Sequence, residues 1–465
     1  MKLASIVLCA GKGTRMKSQL PKVLHHAAGR PLGAWSLLTA REVGADPIIA
    51  VVGHEAEEVE QGLTAVVGAP LRFALQAEQK GTGHAVQCGL TGIEEPVDKV
   101  LILYGDTPLL KASSLLSLLA AHTESGAPLA MLTTVLADPT GYGRILRDER
   151  GGVCAIIEHK DASPSQRAIN EVNPGIYLVE MAFLQREIGG LSGANAQGEL
   201  YLTDLVSRAA EQGGVVSVAV DAEETLGVND RVQLAEAEAV LQRRLRQHWM
   251  RQGVSMRHPD STFLDATVTL GSDVELAPQV SLRGQTRIAN NVEIGVGCVL
   301  TDTVVESGAR LHAYTICEGA QLGPNTDVGP FARLRPGADL RAEAKVGNFV
   351  EVKKSVLGRG SKANHLAYLG DAEIGEGCNV GAGTITCNYD GHGKHRTVLG
   401  DRVFIGSNST LVAPITIGTD AYVGAASCVS RDVPADSLAI GRAKQENKEG
   451  YAARIRSRNE RRAKK

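Results

Sequence analysis

The sequence predicts two folded regions of different class: an α/β domain with a mostly parallel sheet and, beyond a helical segment, an all-β solenoid. Three observations predict this. Over residues 1–229 short apolar runs alternate with amphipathic stretches; residues 230–253 are patterned as a helix; and from Val268 to Val429 aliphatic residues recur at every sixth position. A chain of 465 residues is also too long for a single core.

In the first region short apolar runs alternate with amphipathic stretches at 6–10, 33–43, 47–52, 100–104, 113–121 and 129–136. That alternation argues βαβ units with helices on both sheet faces. Ligands of such sheets sit beyond the carboxyl ends of the strands, which directs attention to the loops after Ala10 and Tyr104. In the second segment Leu234, Leu241, Leu245 and Trp249 lie near one helical face, and Arg243, Arg244 and Arg246 are expected on a solvated one. A helix of this length, about 36 Å, suits a rigid spacer between the domains.

The count of six starts with Leu270, Leu276, Leu282, Ile288, Ile294 and Leu300. After a slip of phase it continues through Ile316, Leu322, Val328, Leu334, Leu340, Val346 and Val352, and after a second disturbance through Leu399, Ile405, Leu411, Ile417, Val423 and Val429. Neither the 3.6-residue helix nor plain strand alternation has this period. A short strand followed by a tight corner does, and the corners are rich in Gly, Asn and Asp, as in Gly271-Ser272-Asp273 and Gly375-Glu376-Gly377. Hexapeptide repeats of this kind predict a β-solenoid of roughly nine triangular coils. The period lapses between Val352 and Leu399, around His365 and again around Asn388-Tyr389. The tail from Arg442 carries ten Lys and Arg against three Glu and is expected to be a solvated, disordered end.

Composition narrows the classes. Hydrophobic content of 43% with 22% charged residues is ordinary for a soluble globular protein, and aromatics at 4% fit a narrow aliphatic interior. A net charge of −3 provides no global field toward nucleic acid or membrane. The eight cysteines are scattered without a CxxC pair, so reduced thiols and a cytoplasmic location are expected. The N-terminal apolar run is too short for a signal peptide, and no run reaches the ~18 apolar residues of a membrane span.

The first chemical motif is Leu8-Cys9-Ala10-Gly11-Lys12-Gly13-Thr14-Arg15-Met16 with Pro21-Lys22 downstream. Gly11 and Gly13 let backbone N–H groups approach a phosphate, and Arg15 and Lys22 add positive charge for a pyrophosphate leaving group. Neither the P-loop nor the GxGxxG pattern is present. The motif resembles that of the nucleotide-sugar pyrophosphorylases, and further segments narrow the match. Gln76 to Gln79, leading into Gly81-Thr82-Gly83-His84, resembles the segment that reads the uracil base. Tyr104-Gly105-Asp106 ends a strand where a carboxylate can hold Mg²⁺. Segments holding Gly143, Glu158 and Asn173 resemble those lining the sugar site, and the family shares the metal between the positions of Asp106 and Asn229. Cys9 stands where alanine is common.

Taken with the solenoid, the chain resembles over nearly its whole length the bacterial bifunctional N-acetylglucosamine-1-phosphate uridylyltransferases and glucosamine-1-phosphate acetyltransferases. The resemblance implies a Rossmann-like nucleotidyltransferase domain (1–229), a helical linker (230–253), a left-handed parallel β-helix acetyltransferase domain (254–441) and a basic tail (442–465). His365 falls at the position of the base that takes the amine proton, a task suited to imidazole near pH 7. Arg335 and Lys353 match ligands of the sugar phosphate, and Tyr368 and Asn379 match sugar contacts. Asn388 and Tyr389 match the acetyl-donor end. Ala382, Ser407, Ala425 and Arg442 match the acetyl-CoA surface, where small residues admit the pantetheine arm. Cys387 is not expected to carry the acetyl group, because direct attack by the amine needs no thiol.

Implied with these residues are Mg²⁺, UTP and acetyl-CoA, small-molecule substrates without nucleic acid or membrane, and a homotrimer with acetyl-transfer sites between neighbouring solenoids. A single-activity nucleotidyltransferase with a purely structural solenoid would leave His365 and Asn388-Tyr389 unexplained. A pure scaffold would leave Gly11 to Arg15 and Asp106 unexplained.

Overall fold

The computed structural model describes residues 2–464. The chain divides into two compact units, Met1–Gln247 with Leu264–Ala266, and His248–Phe263 with Thr267–Lys465.

The first unit is built on a ten-stranded sheet. β1 (Leu3–Leu8), β2 (Ile48–Val52), β3 (Arg72–Leu75) and β4 (Lys99–Tyr104) run parallel in the order β3-β2-β1-β4. Ile6, Val7, Ile49 and Val51 are inaccessible, because both faces are covered. Covered faces are why these strands read as continuous apolar runs. Between β1 and β2 lies α1 (Leu32–Glu42), between β2 and β3 α2 (Ala56–Val67), and between β3 and β4 α3 (Thr82–Leu90); α4 (Ala112–Ser125) follows β4.

Beyond β4 the sheet is mixed. β5 (Leu129–Val135) does not pair with β4. Tyr177–Glu180 lies antiparallel between them, and a hairpin of Gly143–Arg147 with Val153–Ile157 extends the far side through Glu171–Asn173. The helix expected as a spacer, α5 (Arg231–Arg251), starts where Asp230 Oδ1 accepts the N–H groups of Val232 and Gln233 at 2.9 Å, an N-cap. Ala237 and Leu241 pack it into the first unit against Leu32 and Leu109. Its arginines form a solvated face only in part. Arg243 is exposed, though paired with Glu223; Arg244 is half-buried and donates to the Leu109 carbonyl at 2.6 Å; Arg246 is buried. Packing on the α/β core overrides the expectation of solvation for Arg246 and partly for Arg244.

The second unit is a parallel β-helix of three sheets with 11, 10 and 9 strands, in which each strand pairs with the one three strands on, except at the last pair of the largest sheet. This is consistent with the left-handed hexapeptide helix expected from the sequence. One residue of each short strand points inward, and each buried Leu, Ile or Val contributes about 2 kcal/mol of burial. All the hexad positions are buried except Ile316, which is 48% exposed. Cys317 takes its inward place, paired between Leu300 and Leu334. The slip arises at one corner: the steps from Leu300 to Val305 and from Cys317 to Leu322 are each a residue short.

The same shortening at Leu357 and Ile374 accounts for the lapse around His365, where Leu357, Ala363, Leu369 and Ile374 keep the interior filled. His365 therefore ends a regular strand, Lys362–His365, and does not sit in an interruption. A true insertion remains only between Thr386 and Leu399, again at that corner. The tail is also more ordered than expected. Residues Tyr451–Ala463 form a helix, α6, with every side chain exposed.

Candidate functional sites

At the carboxyl ends of β1 and β4 lies a cleft of about 310 Å³. Leu8, Cys9, Ala10, Gly11, Lys22, Gln76, Gly81, Thr82, Tyr104 and Asp106, all expected site residues, line it together with Gln79 and Ala85 of the same segment as Gln76 and with Val23 and Glu199, which the sequence did not single out. Gly11 faces open space, as a phosphate approach needs. Gly13 serves a different end. Its φ is +59° and a Cβ there would meet Lys22 Cβ at 2.5 Å, so its smallness admits the Lys22 stem. Gln79 Nε2 donates to the Ala10 carbonyl at 2.5 Å and steadies the loop from the far side. Arg15, in the turn Thr14–Met16, is exposed to solvent outside the cleft lining.

Gly105 is buried, and a side chain there would meet Cys9 Sγ at 2.5 Å, so the close approach needs glycine. Burial, with Asp106 beside it, pushes the Cys9 thiol up to about 12, so this sulfur is a packing group and not a nucleophile. Lys22 Nζ lies 2.5 Å from Asp106 Oδ2 and 3.3 Å from Asn229 Oδ1. Asn229 stands just before the α5 N-cap, and the Val228 N–H donates to the Asp106 carbonyl at 2.8 Å, so helix and strand end fix these oxygens together. Both converge on one positive charge. The pair of hard oxygens suits Mg²⁺, which is commonly held by one or two protein oxygens and by phosphates.

Away from the cleft floor, Thr203 Oγ1 donates to Glu158 Oε1 at 3.3 Å, and burial raises the Glu158 carboxyl. Glu158 and Asp106 in turn add to the burial that pushes the Tyr104 phenol above its usual range. Gly143 lies 3.5 Å from Glu158 Oε1, measured from where its Cβ would stand. The Asn173 side chain is engaged internally, donating to Tyr177 Oη at 2.6 Å and accepting from the Gly175 N–H at 2.9 Å.

In the solenoid, register gathers the second set of residues. Asn348 pairs with His365, and the pairings Ala363–Val380, Val380–Ile405 and Ile405–Val423 carry the position two residues on to Ala382, Ser407 and Ala425. One corner of successive coils thus presents Asn348, His365, Ala382, Ser407 and Ala425 as a column. Arg442 follows the last strand of that sheet and is exposed. His365 Nδ1 lies 2.8 Å from Asn348 Oδ1. An amide oxygen only accepts, so Nδ1 carries the proton and Nε2 keeps its lone pair.

On the neighbouring sheet Arg335 and Lys353 occupy equivalent places one coil apart, following the Leu334–Val352 pair. Arg335 Nη1 donates to Glu351 Oε1 at 2.8 Å. Lys394, from the inserted loop, approaches Lys353 closely enough to lower its pKa, with Arg335 adding to the effect. Three cations thus lie near one another, with Arg335 also paired to Glu351, and Lys394 belongs to a loop whose fold is invisible in the repeat. Tyr368 Oη and Asn388 Nδ2 crowd Gly370, and Asn388 Nδ2 donates to Asp371 Oδ2 at 2.5 Å. Tyr389 is 61% exposed, with its hydroxyl donating to the Gly391 carbonyl at 2.7 Å. Asn379 lies beside Lys362, three residues back from His365 along the sheet. Burial raises the Cys387 thiol, against a covalent role.

The family model of the MobA-like NTP transferase domain matches residues 5–153. The chain is 51% identical to the bifunctional protein GlmU of Sorangium cellulosum over 98% of its own length and 97% of that protein's. It is 51% identical to that of Trichlorobacter lovleyi over 97% and 98%, and 49% identical to that of Pelobacter propionicus over 98% and 99%. Kinship of this depth runs through both units, and the chain belongs to the family of bifunctional GlmU proteins.

Proposed function

We propose that the chain makes UDP-N-acetylglucosamine by two transfers. The solenoid moves acetyl from acetyl-CoA to glucosamine-1-phosphate, and the first unit moves uridylyl from UTP to N-acetylglucosamine-1-phosphate with release of pyrophosphate. The near-full-length kinship carries this reading.

At the solenoid, Arg335, Lys353 and Lys394 hold the sugar phosphate, while Tyr368 and Asn379 orient the ring. His365 Nε2 takes the proton as the amine nitrogen attacks the thioester carbon; the C–N bond forms, the C–S bond breaks, and the departing CoA thiolate takes the proton back from the imidazolium. The small residues Ala382, Ser407 and Ala425 give the pantetheine arm a course up the corner, Asn388 and Tyr389 border the acetyl end, and Arg442 meets a phosphate of CoA.

In the first unit, Gln76, Gly81 and Thr82 contact the base, and Gly143, Glu158, Asn173 and Tyr104 line the sugar. A phosphate oxygen of N-acetylglucosamine-1-phosphate attacks the α-phosphorus of UTP in line, and the loop at Gly11 with Arg15 and Lys22 receives the charge of the departing pyrophosphate. Asp106 and Asn229 would hold Mg²⁺, which supplies charge neutralisation at the phosphates.

The chain works as a cytoplasmic homotrimer on small molecules, without nucleic acid or membrane. All eight cysteines are unpaired, which suits a reducing compartment, and no helix among the described residues is long and apolar enough to cross a membrane. Support for assembly comes from a ridge on the His365 side of the solenoid. Tyr314, Phe331 and Phe349 stack at 5.3 and 5.4 Å between ring centres and, with Leu366, are about half exposed or more. Apolar ridges of this kind mark contact surfaces.

The test is a pair of assays on purified protein: thiol release from acetyl-CoA with glucosamine-1-phosphate, and Mg²⁺-dependent pyrophosphate release from UTP with N-acetylglucosamine-1-phosphate. Absence of either product stream refutes that half.

A further inference from the structure

We propose that Lys22 is a place-holder cation: in the ligand-free protein its ammonium occupies the position between Asp106 and Asn229, and a divalent ion enters only by displacing it. The inference rests on the reading of Asp106 and Asn229 as metal ligands.

Three observations carry it. The ammonium touches both oxygens, at 2.5 Å and 3.3 Å. The Lys22 and Asp106 side chains are only 12% and 19% exposed, so the pair is poorly screened by water. The stem is also held in place. Lys22 opens the turn Lys22–Leu24, whose Val23 and Leu24 are buried, and its Cβ fills the space that a side chain at Gly13 would take. An ammonium and a divalent ion cannot share the same two oxygens, because their repulsion grows as water is excluded.

Gly11 and Lys22 line one cleft, so an entering triphosphate offers the ammonium new anions beside its present position. Nucleotide then favours metal, and by reciprocity metal favours nucleotide. Lys22 would keep the empty site from filling with bare cation and switch its charge to phosphate when substrate arrives.

Mn²⁺ alone is the probe, with free ion counted by electron paramagnetic resonance and no nucleotide present. Lys22→Met should bind Mn²⁺ on the order of tenfold more tightly than the unsubstituted protein, since an unpaired Asp106 carboxylate remains. Lys22→Arg, which keeps a cation, should stay weak. Adding Asp106→Asn to Lys22→Met should remove the gained affinity. Circular dichroism and thermal unfolding verify that each variant is folded. Unchanged or weaker binding by folded Lys22→Met overturns the place-holder. A gain that persists in the double variant overturns instead the assignment of Asp106 as a metal ligand.

Discussion

His365 Nδ1 and Asn348 Oδ1 lie 2.8 Å apart on adjacent coils, joined by the register that pairs the two residues. The contact sets the tautomer of the imidazole and leaves Nε2 with its lone pair, as the base role proposed for it requires. Asn348→Ala should lower kcat for acetyl transfer about tenfold while leaving KM for glucosamine-1-phosphate nearly unchanged, because orientation is lost and the sugar ligands remain. Asn348→Asp keeps an acceptor for the Nδ1–H and should retain most of the activity that Asn348→Ala loses. A wild-type kcat in Asn348→Ala would exclude the role.

The two activities should separate cleanly. His365→Ala is expected to lower thiol release at least a hundredfold and to spare pyrophosphate release. Asp106→Ala is expected to do the reverse. Loss of both activities in one folded variant would contradict two independent sites.

The stacked ridge should decide assembly. Phe331 is 48% exposed between two stacked rings, so a charge there hardly disturbs the solenoid interior. Phe331→Glu should shift the mass measured by light scattering from trimer to monomer. If a trimer persisted, the ridge would not be the contact.

His122 should make the first unit sensitive to acid. Burial, aided by the Lys99 ammonium 2.8 Å from Nδ1, lowers its pKa from 6.5 to about 4. With the folded value depressed, the stability conferred by the neutral ring is complete above pH 6.5 and is lost as pH falls from 6.5 toward 4. The change should be of order 2 kcal/mol in urea unfolding of the first unit. His122→Gln should flatten the slope within that window, and an unchanged slope would assign the acid sensitivity elsewhere.

Much of this was legible in residue order, because both folds repeat a local rule. Buried parallel strands need continuous apolar runs, and a coil of three hexads needs an inward aliphatic residue in each. The motif at Gly11 and the strand end at Asp106 stood out because each ends an apolar run, whereas the apparent break at His365 is only a shortened corner in a regular coil. Ile316 shows the limit. One short corner shifts the inward position to Cys317, while an unbroken period of six falls on its more aliphatic neighbour. Arg246 of α5 shows another, since a polar face on an isolated helix reads as solvated until a partner buries it.

By itself the sequence determined the two fold classes, the repeat and the residue types able to do acetyl and nucleotidyl chemistry. All of these depend on interactions among near neighbours in the chain. Only the tertiary structure decided which groups meet: Lys22 with Asp106 and Asn229, Asn348 with His365, and Lys394 with Lys353. Those contacts join residues up to 207 positions apart, and they follow from strand register and corner length, which no local pattern records.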